Sequence, residues 1–429
     1  MKFTRVFAFM ALAGLAGSAF ATNGYFSHGY GMKSKGMAGA STASYDDAFF
    51  GANNPAAAAF AGNRADLGAD LFMPIREASD SAFGGPGGPA VTSESDSEMF
   101  LVPEFGYNRM INANLALGVT VYGNGGMNSD YPDLGAAFGN TNIMFGSQSL
   151  GVDLMQLIVA PTAAYQIAPN HSLGIAPLLG YQRFAATGLQ AFSGFSMNPA
   201  ALSENGHDDA FGWGVRVGYM GKLTPTLTVG AAYASKMDFE EFEDYKGLFA
   251  EQGDFDIPEN YNLGVAWQAT PAIKLALDYQ RINYSGVDSV SNAVGNLFNC
   301  PAFGGADPAS CMGGSAGPGF GWDDIDVWKF GVEYKHSPQW TLRAGYSHND
   351  NPISGSDMGE AFLNILAPAV IEDHVTLGFT YTLASGNEVT MAYMHGFENE
   401  VSGTNPLTGS TNTIQMYQDS VGIQYSWKM

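Results

Sequence analysis

The sequence predicts an all-β membrane protein, a fourteen-stranded antiparallel transmembrane barrel. Three observations predict it: an export signal at the start of the chain, segments of roughly ten residues in which large apolar residues alternate with small or polar ones, and a regular alternation of short and long connections between those segments.

The first 21 residues have the layout of a secretory signal peptide. Lys2 and Arg5 form a basic start, an apolar run follows to about Ala16, and Ala19-Phe20-Ala21 fits a small-x-small cleavage site. The alternative is a membrane anchor, but the run is short for a spanning helix, which needs about 20 residues. We therefore expect residues 1–21 to be removed and the mature chain to begin near Thr22.

The charge of the chain narrows the classes of partner. Its 429 residues carry a formal net charge of −23 at pH 7. Such an acidic chain is a poor match for nucleic acid, whose phosphates require basic surfaces. It also lacks the basic cluster that would attach a protein to anionic lipid. An exported chain of this length is either a large soluble protein or an outer-membrane barrel.

Alternation of apolar and polar residues with a period of two predicts β-strands. Here the pattern suits a barrel whose apolar face points outward and whose polar face points inward, the reverse of a soluble β-protein. In the segment 273–280, Ile273, Leu275, Leu277 and Tyr279 oppose a face of small, polar and charged residues, and the segments 226–236, 375–382 and 420–427 repeat the pattern. One face is apolar and ends in aromatic residues, while the other is small and wet. This pattern is typical of a barrel with lipid outside and a polar lumen inside.

The connections between strands support the barrel more strongly than any one strand. The predicted strands lie near 67–77, 97–107, 113–122, 157–168, 172–184, 211–223, 226–236, 257–267, 273–283, 326–336, 340–349, 372–384, 387–397 and 414–427. Six short turns alternate with seven long loops between them. Bacterial barrels show an even number of strands, short periplasmic turns and long extracellular loops.

Four prolines fall inside or beside predicted strands. Each removes one hydrogen-bond donor from the sheet, and a closed barrel has no edge strand to hold it. We therefore expect a local bulge or kink at each of them. They are Pro103, Pro161, Pro177 and Pro258.

Residues 22–62 precede the first strand and are rich in small residues. A fourteen-stranded barrel is too wide for its own side chains to fill, so a compact segment inside it would prevent a leak. Glycines allow tight bends, and Asn54-Pro55 is a turn signal. From composition alone, a plug in the lumen and a flexible periplasmic tail remain equally open.

This segment resembles the N-terminal hatch of the outer-membrane long-chain fatty-acid transporter family, the FadL group, which includes toluene-uptake relatives of the TodX type. In the segment itself, the matching features are Gly29-Tyr30-Gly31, the run from Gly36 to Ala40, Asp46-Asp47-Ala48 and Asn54-Pro55-Ala56. Later matches are Val102-Pro103, "FGWGVRVGY" from Phe211, "IPENYNLGV" from Ile257, "WTLRAGYSHNDNP" from Trp340 and "YMHG" from Tyr393. The resemblance covers essentially the whole mature chain.

The resemblance implies a monomeric barrel at residues 63–429, plugged by a hatch at residues 22–62. It implies passive uptake: extracellular loops capture an apolar ligand, the hatch rearranges, and the ligand leaves sideways through a gap at a kink in the third strand. Hatch positions are expected at Gly29, Gly31, Gly36, Asn54, Pro55 and Ala56. The best local candidates for the strand break are Gly123, Gly125 and Gly126 in the loop after the third strand.

Two loops and two strands supply candidate ligand-binding residues. The loops near 185–210 and 237–256 place apolar groups in surroundings that should be wet, which suggests a binding surface; the alternative is that the loops pack on each other. Lys329 and Arg343 lie on the polar face of their strands and could meet a carboxylate, although Glu333 could instead pair with a lysine there. The apolar candidates are Leu189, Phe192, Phe195, Phe239, Phe242 and Phe249.

The two cysteines and the chain end complete the expectations. Cys300 and Cys311 share one long extracellular loop of an exported chain, so we expect them to form a disulfide. Barrels of this kind usually end in an aromatic residue, but here Lys428 and Met429 follow Trp427. No cofactor or metal site is expected, and the expected partners are hydrophobic small molecules, outer-membrane lipid and lipopolysaccharide.

The predicted function is passive uptake of hydrophobic compounds across the outer membrane of a Gram-negative bacterium, with long-chain fatty acids first. Aromatic hydrocarbons or alkanes are the alternative cargo. An outer-membrane enzyme such as a lipase is a rival of another class, although no catalytic motif such as G-x-S-x-G is present. A general porin is the second rival, but a porin needs no hatch and requires charged constriction rings.

Overall fold

The computed structural model describes residues 23–429, so the predicted signal peptide and Thr22 lie outside the described residues. Fourteen long strands dominate this part of the chain. They are β1 (Arg64–Asp80), β2 (Phe100–Met110), β3 (Leu115–Tyr131), β4 (Leu150–Ala168), β5 (His171–Thr187), β6 (Asp208–Thr224), β7 (Leu227–Ala234), β8 (Asn260–Thr270), β9 (Ile273–Ile282), β10 (Ile325–Lys335), β11 (Trp340–Asn349), β12 (Asp373–Thr382), β13 (Glu388–Thr404) and β14 (Thr411–Lys428).

The strands form one closed antiparallel barrel, which confirms the predicted fold class. Each strand pairs with the next along the chain, and β14 pairs with β1 from Arg64 opposite Lys428 to Asp80 opposite Asn412. Two further short strands, Val91–Glu94 and Asp238–Phe239, lie in loops and pair with β1 and β6. Among residues 23–429, no helix is long and apolar enough to cross a membrane.

The strands run further into the extracellular region than alternation predicted. β3 continues to Tyr131 and β4 begins at Leu150, so the second long loop spans 132–149 and not 123–156. β13 and β14 likewise extend to leave a loop of only 405–410. Beyond the bilayer a strand has no lipid-facing side, so its sequence no longer alternates between apolar and polar residues.

The strand prolines were predicted to cause a bulge or a kink, and the structure contradicts the bulge. Val159 pairs with Leu179 and Ala163 with Ile175 in one register across Pro161 and Pro177, and only the ladder pairs between them are missing. Pro103 likewise leaves the register between β1 and β2 unchanged, and Pro258 precedes β8. A lost donor therefore breaks ladder bonds without inserting a residue. Register shifts lie elsewhere, for example between Gly123 and Gly125.

Large apolar side chains cover the outside of the barrel, as the inverted alternation predicted. They face outward in successive strands and would contact lipid acyl chains. Representative members are Leu67, Leu101, Leu117, Leu179, Trp213, Leu263, Leu277, Phe330, Leu377 and Ile423.

Residues 23–62, which we call the hatch, lie folded inside the barrel. The segment contains a one-turn helix, Met32–Lys35, and a 3-10 helix, Pro55–Ala59, joined by irregular chain. Most of its residues are buried, including the charged Lys33 and Lys35. A hatch in the lumen leaves its backbone groups without a regular ladder, so the barrel wall must satisfy many of them.

Candidate transport route and its hatch

Wall carboxylates hold the backbone of the hatch. The carboxylate of Glu104 accepts from the N–H of Gly31 at 2.9 Å, and that of Asp66 accepts from Ala48 at 2.7 Å. One oxygen of Asp278 accepts from both Ser41 and Thr42, at 2.8 and 2.7 Å. Charge-assisted bonds of this kind are about twice as strong as neutral ones, so they fix an irregular segment without secondary structure.

Ion pairs join the hatch side chains to the wall. Lys33 binds Glu388 at 2.7 Å, Lys35 binds Asp70, and Asp46 binds Lys274 at 2.6 Å. The Lys274 ammonium lowers the pKa of Asp46, whereas burial lowers the pKa of Lys33. Breaking one partner of such a buried pair leaves an unpaired charge, so these contacts favour the docked position of the hatch.

The Asn54-Pro55-Ala56 turn docks on β5 and β6. Asn54 caps the 3-10 helix by accepting from the N–H of Ala56 at 3.1 Å, and its Nδ2 donates to the carbonyl oxygen of Tyr219 at 2.9 Å. Ser172 of β5 donates to the carbonyl oxygen of Ala56 at 2.9 Å. These contacts place the three predicted turn residues at the wall.

The three predicted hatch glycines also lie where the chain is crowded. A Cβ on Gly29 would lie 2.9 Å from Cα of Gly39, and one on Gly36 would lie 3.3 Å from Cα of Gly378 in β12. Gly31 has φ +84° and would meet the Phe49 ring at 2.6 Å. A side chain would therefore force the packing to shift at Gly29 and Gly31, and it would make a tight contact with β12 at Gly36.

A belt of lumen-facing strand glycines receives the hatch, and sequence reasoning missed it. At each of them an added Cβ would come within 3.0 Å of a hatch atom, so only glycine lets the hatch approach the wall this closely. The belt consists of Gly106, Gly118, Gly125, Gly174, Gly218, Gly230, Gly264, Gly331, Gly345 and Gly422. In the sequence, these glycines lie on the polar, lumen-facing side of their strands, and this pattern could have predicted the belt.

The periplasmic half of the lumen is polar. A cavity of about 450 Å³ lies under the hatch at the ends of the strands that meet in short turns; its lining includes Lys33, Lys274 and Arg343. Arg343 pairs with Glu333 at 2.7 Å, and Lys274 lies 3.4 Å from the same carboxylate. The predicted ligand contact Arg343 is thus part of the ionic lining beside the hatch.

Lys329, the second predicted head-group contact, also lies beside the hatch. Its ammonium donates to Oε1 of Gln280 at 2.8 Å, and its side chain reaches Gly39 of the hatch. Lys329 and Arg343 thus belong to the polar surroundings of the hatch.

The extracellular half of the lumen is filled with aromatic and aliphatic side chains. Phe184 of β5 contacts Phe242 and Phe249 with ring centroids 5.5 and 4.7 Å apart, and Phe249 contacts Phe255 at 4.8 Å. Phe255 in turn lies 6.0 Å from Tyr25 of the hatch. A continuous apolar path therefore runs from the loops to the start of the hatch.

The predicted loop candidates are part of this core and do not form an exposed surface. Five of the six are buried, and Phe195, which is partly buried, stacks on Phe303 at 4.1 Å. The loops pack on each other and on the strands, because that removes their apolar groups from water. The five buried candidates are Leu189, Phe192, Phe239, Phe242 and Phe249.

The wall has a gap between β2 and β3. These strands pair only from Phe105 opposite Val121 to Met110 opposite Ala116, although β3 continues to Tyr131. Hatch residues fill the space: Ser27 N–H donates to the carbonyl oxygen of Asn124 at 3.1 Å, and Gly126 N–H donates to that of Tyr25 at 3.2 Å.

The three predicted break glycines lie at this gap, but in a different element from the one expected. Gly123, Gly125 and Gly126 belong to β3 and not to the following loop. The register between β3 and β4 shifts between Gly123 and Gly125, and a Cβ on Gly125 would strike the carbonyl oxygen of Tyr25. The shift and the hatch contact thus coincide at the gap.

Arg76 is a buried cation beside the same gap, and sequence reasoning missed it. It lines a very small cavity with Tyr25, Met127 and Trp322, and it donates to the carbonyl oxygen of Ser97 at 2.8 Å. No carboxylate lies in salt-bridge range of its guanidinium among residues 23–429. Side chains alternate along β1, and Arg76 is in phase with Asp66 and Asp70, which point into the lumen. This phase could have predicted that Arg76 also points into the lumen.

The two cysteines are joined in the loop that follows β9. Cys300 and Cys311 form a disulfide with a Cα separation of 4.8 Å.

At the other end of the fold, Lys428 is the last residue of β14 and pairs with Glu388, the wall partner of Lys33.

Comparison with known proteins places the chain in a family. The model described as "Outer membrane protein transport protein (OMPP1/FadL/TodX)" matches residues 8–426. A comparison with curated protein sequences finds no match.

Solved structures share the fold at low sequence identity. The toluene transporter TodX of P. putida has 20% identity and a TM-score of 0.67, over 94% of this chain and 99% of TodX. A FadL homologue of Pseudomonas aeruginosa has 16% identity and a TM-score of 0.69, over 94% and 99%. The toluene transporter TbuX of Ralstonia pickettii has 16% identity and a TM-score of 0.62, over 94% and 99%. With the family match over nearly the whole sequence, this chain belongs to the OMPP1/FadL/TodX family of outer-membrane transport proteins, which carry hydrophobic compounds.

Proposed function

We propose that this transporter takes up amphiphilic molecules with a long apolar chain and a carboxylate, with long-chain fatty acids as the first candidates. The observation that carries the proposal is Arg76, a buried guanidinium without a carboxylate partner among the described residues, at the end of an apolar path. A buried charge is costly unless it is paired, so the site suits an anionic head group.

Capture begins at the extracellular loops. The aromatic groups of the loops at 188–207 and 235–259 form the upper part of the apolar path, and an acyl chain can replace their mutual contacts with equivalent ones. Apolar transfer supplies the driving force, about 0.8 kcal/mol for each buried CH₂ group. No energy source beyond the ligand gradient is required.

The hatch acts as the gate, and the gap between β2 and β3 is the lateral exit. Tyr25, Phe26 and Ser27 occupy the gap, so their displacement opens a way from the apolar path into the bilayer. Exit into the membrane spares an apolar molecule the transfer into aqueous periplasm. The remaining hatch contacts with the wall keep the polar half of the lumen closed to ions during this movement.

Aromatic hydrocarbons are the second candidate cargo. The path consists largely of Phe, Tyr and Trp side chains, for example Tyr25, Phe255, Tyr284 and Trp322, whose rings offer stacking partners to a small aromatic ligand. TodX and TbuX are described as toluene transporters. A hydrocarbon has no charged group for the Arg76 guanidinium to bind. A substitution of Arg76 should therefore affect uptake of a carboxylate and not uptake of a hydrocarbon.

The test compares Arg76→Met with wild type for uptake of oleate and of toluene by cells that have no other outer-membrane route for them. We expect oleate uptake to fall about tenfold and toluene uptake to stay unchanged. Arg109→Met, which removes an exposed arginine at the opposite end of the wall, is the matched control. Unchanged oleate uptake by a folded Arg76→Met variant would contradict the head-group role, and transport of toluene alone by wild type would favour the second cargo.

Two measurements test the rival functions of an enzyme and a general porin. Membership in a family of transport proteins favours a role without catalysis, and lipid hydrolysis by the purified protein would contradict it. A steady porin-like conductance of wild type in planar bilayers would contradict a closed hatch.

A further inference from the structure

The outer wall carries a tyrosine–carboxylate pair in each of five consecutive hairpins. In every case a tyrosine on the strand leading to an extracellular loop donates its hydroxyl to an acid at the start of, or within, the returning strand, at 2.5 to 2.8 Å. The pairs are Tyr181 with Asp209, Tyr233 with Glu259, Tyr279 with Asp326, Tyr346 with Asp373, and Tyr393 with Asp419.

A basic residue contacts the carboxylate in four of the five pairs, and in the fifth hairpin Lys236 binds a different acid from the Glu259 that Tyr233 binds. In the four hairpins the base stands two residues after the tyrosine, and the sequence reads "YQR", "YQR", "YSH" and "YMH". In these four the base lies directly across the ladder from the acid, and the separations are 3.4 Å for Arg183 and 2.9 Å for the other three. The fifth hairpin has Lys236 beside Asp256 at 2.6 Å. The bases are Arg183, Lys236, Arg281, His348 and His395.

The register keeps the four clusters from Glu259 to Asp419 at one level of the barrel, whereas the first cluster, at Asp209, is offset along β6 from Val217, the residue opposite Tyr233. From Asp326 the next cluster, at His348, begins opposite Trp328, two residues further along β10. From Asp373 the next cluster, at His395, begins opposite Val375, again two residues along. Barrel strands are tilted and staggered, so a regular step of this kind follows the circumference of the barrel and not the ladder. We name these five clusters the interface ring.

The interface ring lies on the outward face, at the extracellular border of the apolar belt. Tyr233, Tyr346 and Tyr393 are about 40% exposed or more, and each is in phase with lipid-facing neighbours such as Leu342 and Leu377. The long loops that follow the ring identify the extracellular side. The ring therefore continues the lipid-facing surface into the layer where lipid head groups lie.

We propose that the bases of the interface ring bind the phosphate groups of lipopolysaccharide lipid A in the outer leaflet. In four of the clusters the tyrosine hydroxyl orients the carboxylate, and the same carboxylate holds the base in place; in the fifth, Asp256 holds Lys236. Nδ1 of His348 and of His395 lies 2.9 Å from its carboxylate, so Nε2, on the far side of each ring, is left for a phosphate oxygen. Side chains held in this way lose less entropy on binding than free surface cations.

The experiment measures binding of diphosphorylated lipid A to the full-length mature protein in phosphatidylcholine nanodiscs. The test variant combines Arg183→Gln, Arg281→Gln, His348→Gln and His395→Gln. We expect binding about tenfold weaker than wild type, because each base near a lipid surface adds a modest electrostatic gain. Lipid A without its phosphates should bind wild type and variant equally.

The matched control is Arg109→Gln with His336→Gln, which changes exposed residues of the same types near the periplasmic ends of strands. It should bind diphosphorylated lipid A like wild type. Oleate uptake by the ring variant should be unchanged, which also reports that the barrel is folded.

Three outcomes would overturn the proposal. The first is equal binding of phosphorylated lipid A by wild type and the ring variant. The second is binding that a chelator abolishes in wild type while the four substitutions leave it intact, because the carboxylates would then hold the lipid through a divalent cation. Equal loss of phosphatidylglycerol binding would also contradict a site for lipid A, since any anionic lipid would then suffice.

Discussion

Asn54 of the hatch donates from Nδ2 to the carbonyl oxygen of Tyr219 in β6 at 2.9 Å, and the same nitrogen donates to Thr42 within the hatch at 2.8 Å. Its Oδ1 accepts from Ala56 N–H. One amide side chain therefore joins the wall to two separate parts of the hatch. Neither a carboxylate nor a hydroxyl could supply two donors and an acceptor at this position.

The first prediction concerns this turn. Asn54→Ala with Pro55→Ala should leave barrel assembly intact, because all wall strands lie elsewhere in the sequence. It should lower oleate uptake and raise ion leak, since the hatch loses a wall contact, a helix cap and a rigid turn. Uptake assays and planar-bilayer conductance measure the two effects.

A variant that lacks residues 22–62 gives the ion conductance of the unplugged barrel, with which the leak of the double mutant is compared. That variant should conduct strongly, whereas wild type should show little steady conductance. If the double mutant folds and carries oleate at the normal rate without added leak, the turn does not anchor the gate.

The barrel was predictable because lipid imposes one simple rule on every strand. Leu277 and Tyr279 face lipid, so their neighbours must be small or polar, and that alternation is readable one strand at a time. The turn at Asn54-Pro55 was readable for a similar reason, since it depends on local backbone chemistry.

The site residues were less predictable because they depend on contacts between distant segments. The need for glycine at position 218 follows only from the position of Asn54 against it. The buried surroundings of Arg76 likewise depend on Tyr25, which fills the gap. The loop phenylalanines illustrate the same limit: their sequence shows that Phe242 is apolar, but only the fold shows that Phe184 covers it. Beyond the bilayer, β3 lost its alternation, and Gly123 was therefore assigned to a loop.

The second prediction tests the glycine belt at Gly218. A Cβ there would lie 2.1 Å from Oδ1 of Asn54, so Gly218→Ala should displace the hatch turn. We expect increased ion leak from a barrel that still assembles. Gly194→Ala, at a loop glycine with no heavy atom within 4 Å of its added Cβ, is the matched control and should behave like wild type.

The third prediction concerns the disulfide. Both cysteines should be oxidised in protein taken from the outer membrane, as peptide mass mapping would show. Cys300→Ser with Cys311→Ser should loosen the loop at 283–324, with a cost of about 3 kcal/mol at most on the chain-entropy estimate. Limited proteolysis should cut that loop faster while the barrel stays intact; free thiols in native protein would contradict the prediction.

The fourth prediction is a pH dependence of the hatch. Burial in the lumen, and then the neighbouring Asp66 carboxylate, raise the pKa of Asp47 to about 6. In a displaced hatch the group is in water and titrates near its ordinary value of about 3.9. Between these values the docked hatch binds a proton that the displaced hatch does not, so acidification through pH 6 stabilises the docked form.

The test is the difference between wild type and Asp47→Asn in ion leak from pH 7.5 to pH 5. Burial lowers the pKa of His28 in the hatch well below its ordinary value, which acts in the opposite direction in both proteins and cancels in the comparison. We expect wild type to gain hatch closure on acidification relative to Asp47→Asn, and the variant to leak less than wild type at pH 7.5. Identical pH profiles for the two proteins would show that Asp47 titrates in the same range whether the hatch is docked or displaced.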